Sequence, residues 1–167
     1  EGARLMVEFC QAHSIPHEIC GKVVVATESS ELPVLEQLYQ RGLANGVPGL
    51  SLIGPTRLRE LEPHARGVQA LHVPSAGVVD YVAVANKLAE LIRGAGGDIR
   101  TGTRVMRLSR QHQGWLVDTT MGELHARSLV VCAGLHADRL TSLTGAPGDV
   151  RIVPFRGEYY DVIPPRR

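Results

Sequence analysis

The chain is poor in cysteine, has no long apolar run, and carries none of the short motifs that mark the common catalytic chemistries. Its three cysteines, Cys10, Cys20 and Cys132, are odd in number, widely spaced and without a C-x-x-C. That argues against a disulfide framework and a zinc site and points to a reducing compartment. No apolar stretch approaches the roughly 18 residues of a membrane span. The first ten residues, EGARLMVEFC, have neither a basic region nor a long apolar core, so they do not read as a signal peptide. The absence of an initiating methionine suits either a processed chain or a piece of a longer one. A net charge of +1, with no Lys/Arg stripe interleaved with aromatics, makes nucleic acid an unexpected partner. G-x-S-x-G, a P-loop and G-x-G-x-x-G are all missing. The GAGG at 94–97 has the wrong spacing and follows a helical pattern rather than a strand. His13, His17 and Glu18 are spaced like ligands, but Pro16 disfavours the helix that would align them, so no metal is expected.

What is present is enough for a folded domain. The 167 residues are 44% hydrophobic and 21% charged, so a real core can be buried. Residues 3–13 read as a helix ended by Ile15-Pro16. GKVVVAT (21–27) reads as a β-branched strand. Ser29 or Ser30 is the expected cap of a second helix, with Leu35, Leu38 and Tyr39 as its apolar stripe. SLIG reads as a short strand, and Thr56 as the cap of a short helix through Leu58 and Leu61. GVQALHV (67–73) is another strand. From Asp80, apolar or small residues at 81, 84, 85, 88, 91 and 92 predict a helix with one buried face, stopped by Gly94, Gly96 and Gly97. DIRTG, TRVMRLSR, GWLVDTT and ELHARSLVV then read as short strands, the middle two as a hairpin, with a turn at Met121-Gly122. Residues 136–145 read as helical, and VRIVPFRGEYYDV as a strand pair bent at Arg156-Gly157. The order predicts an α+β fold: a mixed sheet with antiparallel hairpins, packed helices and part of a parallel layer.

One stretch carries more than fold. In LVVCAGLHADRL, an apolar run ends in Cys132-Ala133-Gly134 and turns straight into a helix. Small residues at the carboxyl end of a strand let main chain approach a ligand. They also serve ordinary close packing of a strand against a helix, and the pattern by itself leaves both open.

Neighbouring segments add to this. CGKVVVAT, LRELEP, VPSAGVVDYVAVANKLAELIRGAGGDIRTGTRV, ARSLVVCAGLHADRL and VPFRGEYY, in that order, span nearly the whole chain. With them the sequence resembles the FAD-dependent oxidoreductases of the D-amino-acid oxidase and glycerol-3-phosphate dehydrogenase superfamily, and within it the L-2-hydroxyglutarate oxidase (dehydrogenase) group. Such enzymes have two domains. They open with a strand, G-x-G-x-x-G and helix, and close with a second flavin-contacting glycine segment. Neither is found here, so the chain looks like the central part of such an enzyme and is not expected to be active alone.

The resemblance implies a division of the chain. Residues 1–75 would be part of the substrate domain, 76–145 part of the FAD-binding domain, and 146–167 return strands into the substrate domain. It implies that Val105 contacts the adenine end of FAD through backbone groups, and that Cys132, Ala133 and Gly134 pass against the cofactor. Cys132 is expected to be a small packed residue, not a nucleophile. Arg156, Gly157 and Tyr159 would lie in the turn that enters the substrate domain near the isoalloxazine. Arg156 would there face a carboxylate, with bracing of the turn as the equal alternative. His72 and Ser75, ahead of the Asp80 helix, are further substrate-side candidates. The catalytic base is left unassigned.

The implied reaction is oxidation of a 2-hydroxy acid, L-2-hydroxyglutarate to 2-oxoglutarate, by hydride transfer to FAD. Electrons would leave to oxygen or to a quinone. A quinone acceptor would bring a cytoplasmic protein to the inner membrane surface. The alternatives are a glycerol-3-phosphate or amino-acid oxidase relative, or a non-enzymatic domain that has lost the flavin site. An apolar strand edge at 129–131 without its partner predicts self-association of the chain alone.

Overall fold

In a computed structural model of the chain, residues 2–145, 148 and 150–160 are described. They form two compact units that meet in sequence between Ile99 and Arg100.

In the first unit, α1 (Gly2–Ala12) leads into a turn with Ser14 at φ 53, then β1 (His17–Glu18). β2 (Lys22–Ala26), α2 (Leu32–Ala44), β3 (Ser51–Ile53), α3 (Pro55–Leu61), β4 (Gln69–Val73), β5 (Val78–Val79) and α4 (Tyr81–Gly94) follow. The run Val23-Val24-Val25 suits a pleated surface, and β2 forms where it was expected. Three strands make a sheet in the order β2-β4-β3, antiparallel throughout. Its register sets Val24, Leu71 and Leu52 side by side. Alternation along the strands therefore puts them on one face and Val23, His72 and Ser51 on the other. The first face carries the core: Ala26, Leu35 and Leu71 are buried, with Leu38 and Tyr39 of α2 packed on them. A second cluster joins Cys10 and Ile15 to Val84 of α4.

Helix starts differ from expectation in instructive ways. Neither Ser29 nor Ser30 caps the chain ahead of α2. The carboxylate of Glu31 reaches back instead, accepting from the backbone N–H of Thr27 at 2.6 Å and of Glu28 at 3.3 Å, and from the Thr27 hydroxyl at 3.0 Å. These donors hold its carboxyl below the usual range. α3 begins after Gly54 with Pro55 in its first turn, not at Thr56. Asp80 does cap α4, its Oδ1 accepting from the N–H groups of Val82 and Ala83, both at 3.0 Å. The single buried face expected of α4 is only partly realised. Val84 is buried, whereas Leu88, Leu91 and Ile92 are each more than 40% exposed.

In the second unit, β6 (Val105–Gln111), β7 (Gly114–Thr119) and β8 (Gly122–Ala126) form an antiparallel meander. Leu108 and Val117 face each other across it and are buried. Arg107 Nε donates to Asp118 Oδ2 at 2.6 Å across the same pair of strands, which raises the guanidinium pKa. Arg110 lies over the Trp115 ring, 5.1 Å from its centroid. A 3-10 turn (Gly134–His136) and α5 (Ala137–Ser142) follow.

The molecule is thus α+β, with antiparallel hairpins and packed helices. Every strand pairing among the described residues is antiparallel, so the expected parallel layer is not formed among them. Two of the expected strands, DIRTG and the end of ELHARSLVV, have no ladder partner there. Residues 98–102 are irregular, and β8 stops at Ala126 rather than running on to Val131. The strand pair expected over 150–162 is likewise absent from 150–160, and the remainder of that expectation lies outside the described residues.

Candidate functional site

The stretch 127–133 is open chain between β8 and the 3-10 turn. Among the described residues, the backbone N–H groups of Leu129 through Gly134 reach no acceptor. Backbone donors are obligatory hydrogen-bonding groups, so this run is competent to pair with something else. Val130 is 82% exposed. Cys132 is a free, exposed thiol, and Ala133 is half-buried with its carbonyl accepting from His136 N–H at 3.0 Å. Gly134 has φ +52, and a Cβ there would meet nothing within 4 Å. Its glycine is required by the backbone conformation, not by local crowding. The residues present therefore fit a group that lies against main chain, as a dinucleotide does.

Val105 opens β6. It is half-buried and pairs with Thr119, followed by a register shift before Arg107. Its start is held by Arg104 N–H donating to Thr120 Oγ1 and Thr120 N–H donating to the Arg104 carbonyl, both at 3.0 Å. Arg156, Gly157 and Tyr159 are exposed and outside regular structure, Tyr159 at 96%. Within this unit, Val105, Cys132–Gly134 and Arg156–Tyr159 line no common cavity among the described residues.

In the first unit, His72 sits at the centre of the row Val23–His72–Ser51 and is half-buried. Ser75 lies in the turn after β4, clamped by close backbone contacts. Gly21 N–H donates to the Ala76 carbonyl at 2.9 Å, and a Cβ on Gly77 would come within 2.5 Å of the Glu18 carbonyl oxygen. Ser75 lines an apolar cavity of about 350 Å³ with Cys10, His17, Ile19 and Tyr81. His72 does not line it.

Two features escaped the sequence reading. One is the cavity just described. The other is an open cleft of about 670 Å³ bordered by His136, Asp138, Arg139 and Arg151. Asp138 Oδ2 accepts from Ile152 N–H at 3.1 Å, tying the chain beyond α5 to that helix. That bond, and those around Arg139, hold its carboxyl below the usual range. No signal within either segment points to the other. Among the described residues no cluster of three or more His, Cys, Asp or Glu side chains is placed to hold a metal ion.

The fold is shared with solved oxidoreductases. Glycine oxidase from Geobacillus kaustophilus superposes with a TM-score of 0.75 at 24% identity, over 86% of this chain and 40% of that one. L-α-Glycerophosphate oxidase from Mycoplasma pneumoniae, with FAD bound, gives 0.69 at 27% identity, over 79% of this chain and 36% of that one. These likenesses show the fold. The family is then explicit: the model of the FAD dependent oxidoreductase family (DAO) matches residues 1–167, and the chain belongs to that family. Among curated relatives, L-2-hydroxyglutarate dehydrogenase of Indibacter alkaliphilus is 40% identical over 163 residues, covering 97% of this chain and 41% of that protein. The mitochondrial L-2-hydroxyglutarate dehydrogenase of Homo sapiens is 41% identical over 171 residues, covering 95% and 37%. The chain spans about two fifths of the length of these relatives.

Proposed function

We propose that this chain is the central stretch of an FAD-dependent enzyme that oxidises L-2-hydroxyglutarate to 2-oxoglutarate. The observation that carries this is the 40% identity to an L-2-hydroxyglutarate dehydrogenase across 97% of the chain. Bound FAD supplies the acceptor for the hydride that leaves C2 of the substrate. The chain supplies position and charge. Cys132, Ala133 and Gly134 offer unpaired main chain to the cofactor, and Val105 lies toward its adenine end. Residues 1–75 belong to the substrate domain, 76–145 to the FAD-binding domain and 146–167 to the return strands. Arg156 pairs with a substrate carboxylate through its planar guanidinium, in the turn with Gly157 and Tyr159. His72 and Ser75 lie on the substrate side. Free amides beside exposed Val130 support self-association when the flanking segments are missing. Three unbridged cysteines support a reducing compartment. Whether the enzyme works at a membrane surface depends on whether its acceptor is oxygen or a quinone.

The test is anaerobic flavin reduction by the complete gene product. L-2-Hydroxyglutarate is expected to bleach the flavin, with D-2-hydroxyglutarate, glycine and glycerol 3-phosphate inert. Bleaching by glycine or glycerol 3-phosphate in place of the hydroxy acid would overturn the substrate assignment.

A further inference from the structure

Arg139 follows Asp138 on α5, and Arg151 precedes Ile152 in the open chain after that helix. The Asp138 carboxylate latches the two segments together. Its Oδ2 accepts from Ile152 N–H at 3.1 Å, and its Oδ1 accepts from Arg139 N–H at 2.7 Å. A bond between two residues also places their sequence neighbours. The latch therefore brings Arg139 and Arg151 to one place, and both border the open cleft of about 670 Å³ within the second unit.

Guanidinium groups brought together repel unless an anion lies between them. Asp138 is the single carboxylate bordering the cleft, and both of its oxygens accept from backbone N–H groups. Those bonds, the one from Ile152 first, hold its carboxyl below the usual range, so it is ionised at neutral pH and the latch is closed. It acts on the Arg139 side chain only through longer-range attraction. Neither guanidinium has a hydrogen-bond or ion-pair partner among the described residues. Other arginines of the chain are engaged: Arg57 with Glu60, Arg107 with Asp118, and Arg110 over the Trp115 ring. The cleft thus holds two uncommitted guanidinium groups against one carboxylate, with His136 beside them, and its charge is positive. None of the residues assigned above to the cofactor or to the substrate borders it.

We propose that this cleft binds a small doubly charged oxyanion, a phosphate group or a dicarboxylate, held by Arg139 and Arg151. Each guanidinium presents parallel N–H donors that match the paired oxygens of such a group. The cleft lies within the range of about 300–1,000 Å³ usual for small-molecule sites. A bound dianion joins α5 to the Arg151 segment a second time, beside the Asp138 latch. Binding needs no turnover, so the inference stands apart from the oxidation proposed above.

The test is calorimetric titration of the complete protein that carries this segment, with inorganic phosphate and separately with succinate, at low ionic strength and both with and without excess FAD. R139Q and R151Q each remove one guanidinium. R93Q removes the same charge from an exposed site on α4 and is the control. At least one probe is expected to bind the parent in both conditions and to slow exchange of the Ile152 amide. R139Q and R151Q should each weaken that binding by about tenfold or more, the loss of one charged hydrogen-bonding group, while R93Q stays close to the parent. The probe that binds identifies the ligand as phosphate-like or as a dicarboxylate. R139K and R151K keep the charge and lose the fork. They should bind several-fold more weakly than the parent, and they decide the matter if a glutamine variant does not fold. The proposal is overturned if neither probe binds the parent, if the variants bind as the parent does, or if R93Q weakens binding as much as they do. Binding that leaves Ile152 exchange unmoved lies elsewhere on the molecule and overturns it too. Binding seen only without FAD would give the cleft to the cofactor, and the proposal would fall.

Discussion

The β2-β4-β3 sheet and the stretch from Leu129 to Gly134 both start from apolar, β-branched runs but are satisfied in different ways. In the sheet, Val24, Leu71 and Leu52 align across three strands and close on Leu35 of α2. In the later stretch, Leu129, Val130 and Val131 are as strand-prone as Val23–Val25, yet they pair with nothing among the described residues. β propensity reports fit to a pleated, half-buried surface, so it yields a strand only where such a surface exists. The sheet has found its neighbours within the chain. The later stretch keeps its donors free among the described residues.

This contrast can be broken or sharpened. The largest effect is expected in the sheet. L35A removes a side chain that is 3% exposed from the middle of the cluster and should cost about 2–5 kcal/mol in the unfolding of the first unit, measured by chemical denaturation. V130A, at a residue 82% exposed, should change stability by no more than about 0.5 kcal/mol. Equal losses at the two positions would erase the distinction. D80A should cost about 1 kcal/mol, because two N–H groups at the start of α4 lose their acceptor. D80N should recover most of that.

The smallest effect is a pH dependence. Asp138 has a folded pKa below its ordinary value of 3.8, chiefly through the Ile152 N–H. A depressed carboxyl pKa stabilises above the unfolded value, and the contribution is lost as the pH falls through the folded value. The contact between α5 and Ile152 should therefore hold at neutral pH and loosen only in acid below about 4. Exchange of the Ile152 amide should accelerate over that range relative to its intrinsic rate. In D138N it should already be fast at neutral pH. A D138N amide protected like the parent's would remove this link.

Much of the first unit is legible in the sequence because its signals are local. The β-branched run of β2, the stripe of Leu35, Leu38 and Tyr39, and the Asp80 cap each act within a few residues. The cap ahead of α2 is harder to read, since Ser29, Ser30 and Glu31 are all plausible there and only the convergence of the Thr27 and Glu28 donors selects Glu31. The apolar stripe of α4 is correctly periodic, but periodicity cannot say that Leu88, Leu91 and Ile92 stay exposed. The candidate residues of each unit divide in the same way. The small residues Cys132-Ala133-Gly134 mark the open stretch directly. The row that joins His72 to Ser51 depends on strand register, and the bond from Ile152 to Asp138 on a return of the chain, and neither is written in any single segment.

The central claim is the proposal that the main chain at Cys132, Ala133 and Gly134 lies against the cofactor. Hydrogen exchange of those amides, in the complete protein with and without FAD, tests it most directly. The account predicts fast exchange without FAD and marked protection from Cys132 to Gly134 when FAD is bound, with β2 and β4 protected in both states. Amides at 132–134 that exchange equally fast with FAD bound would contradict it.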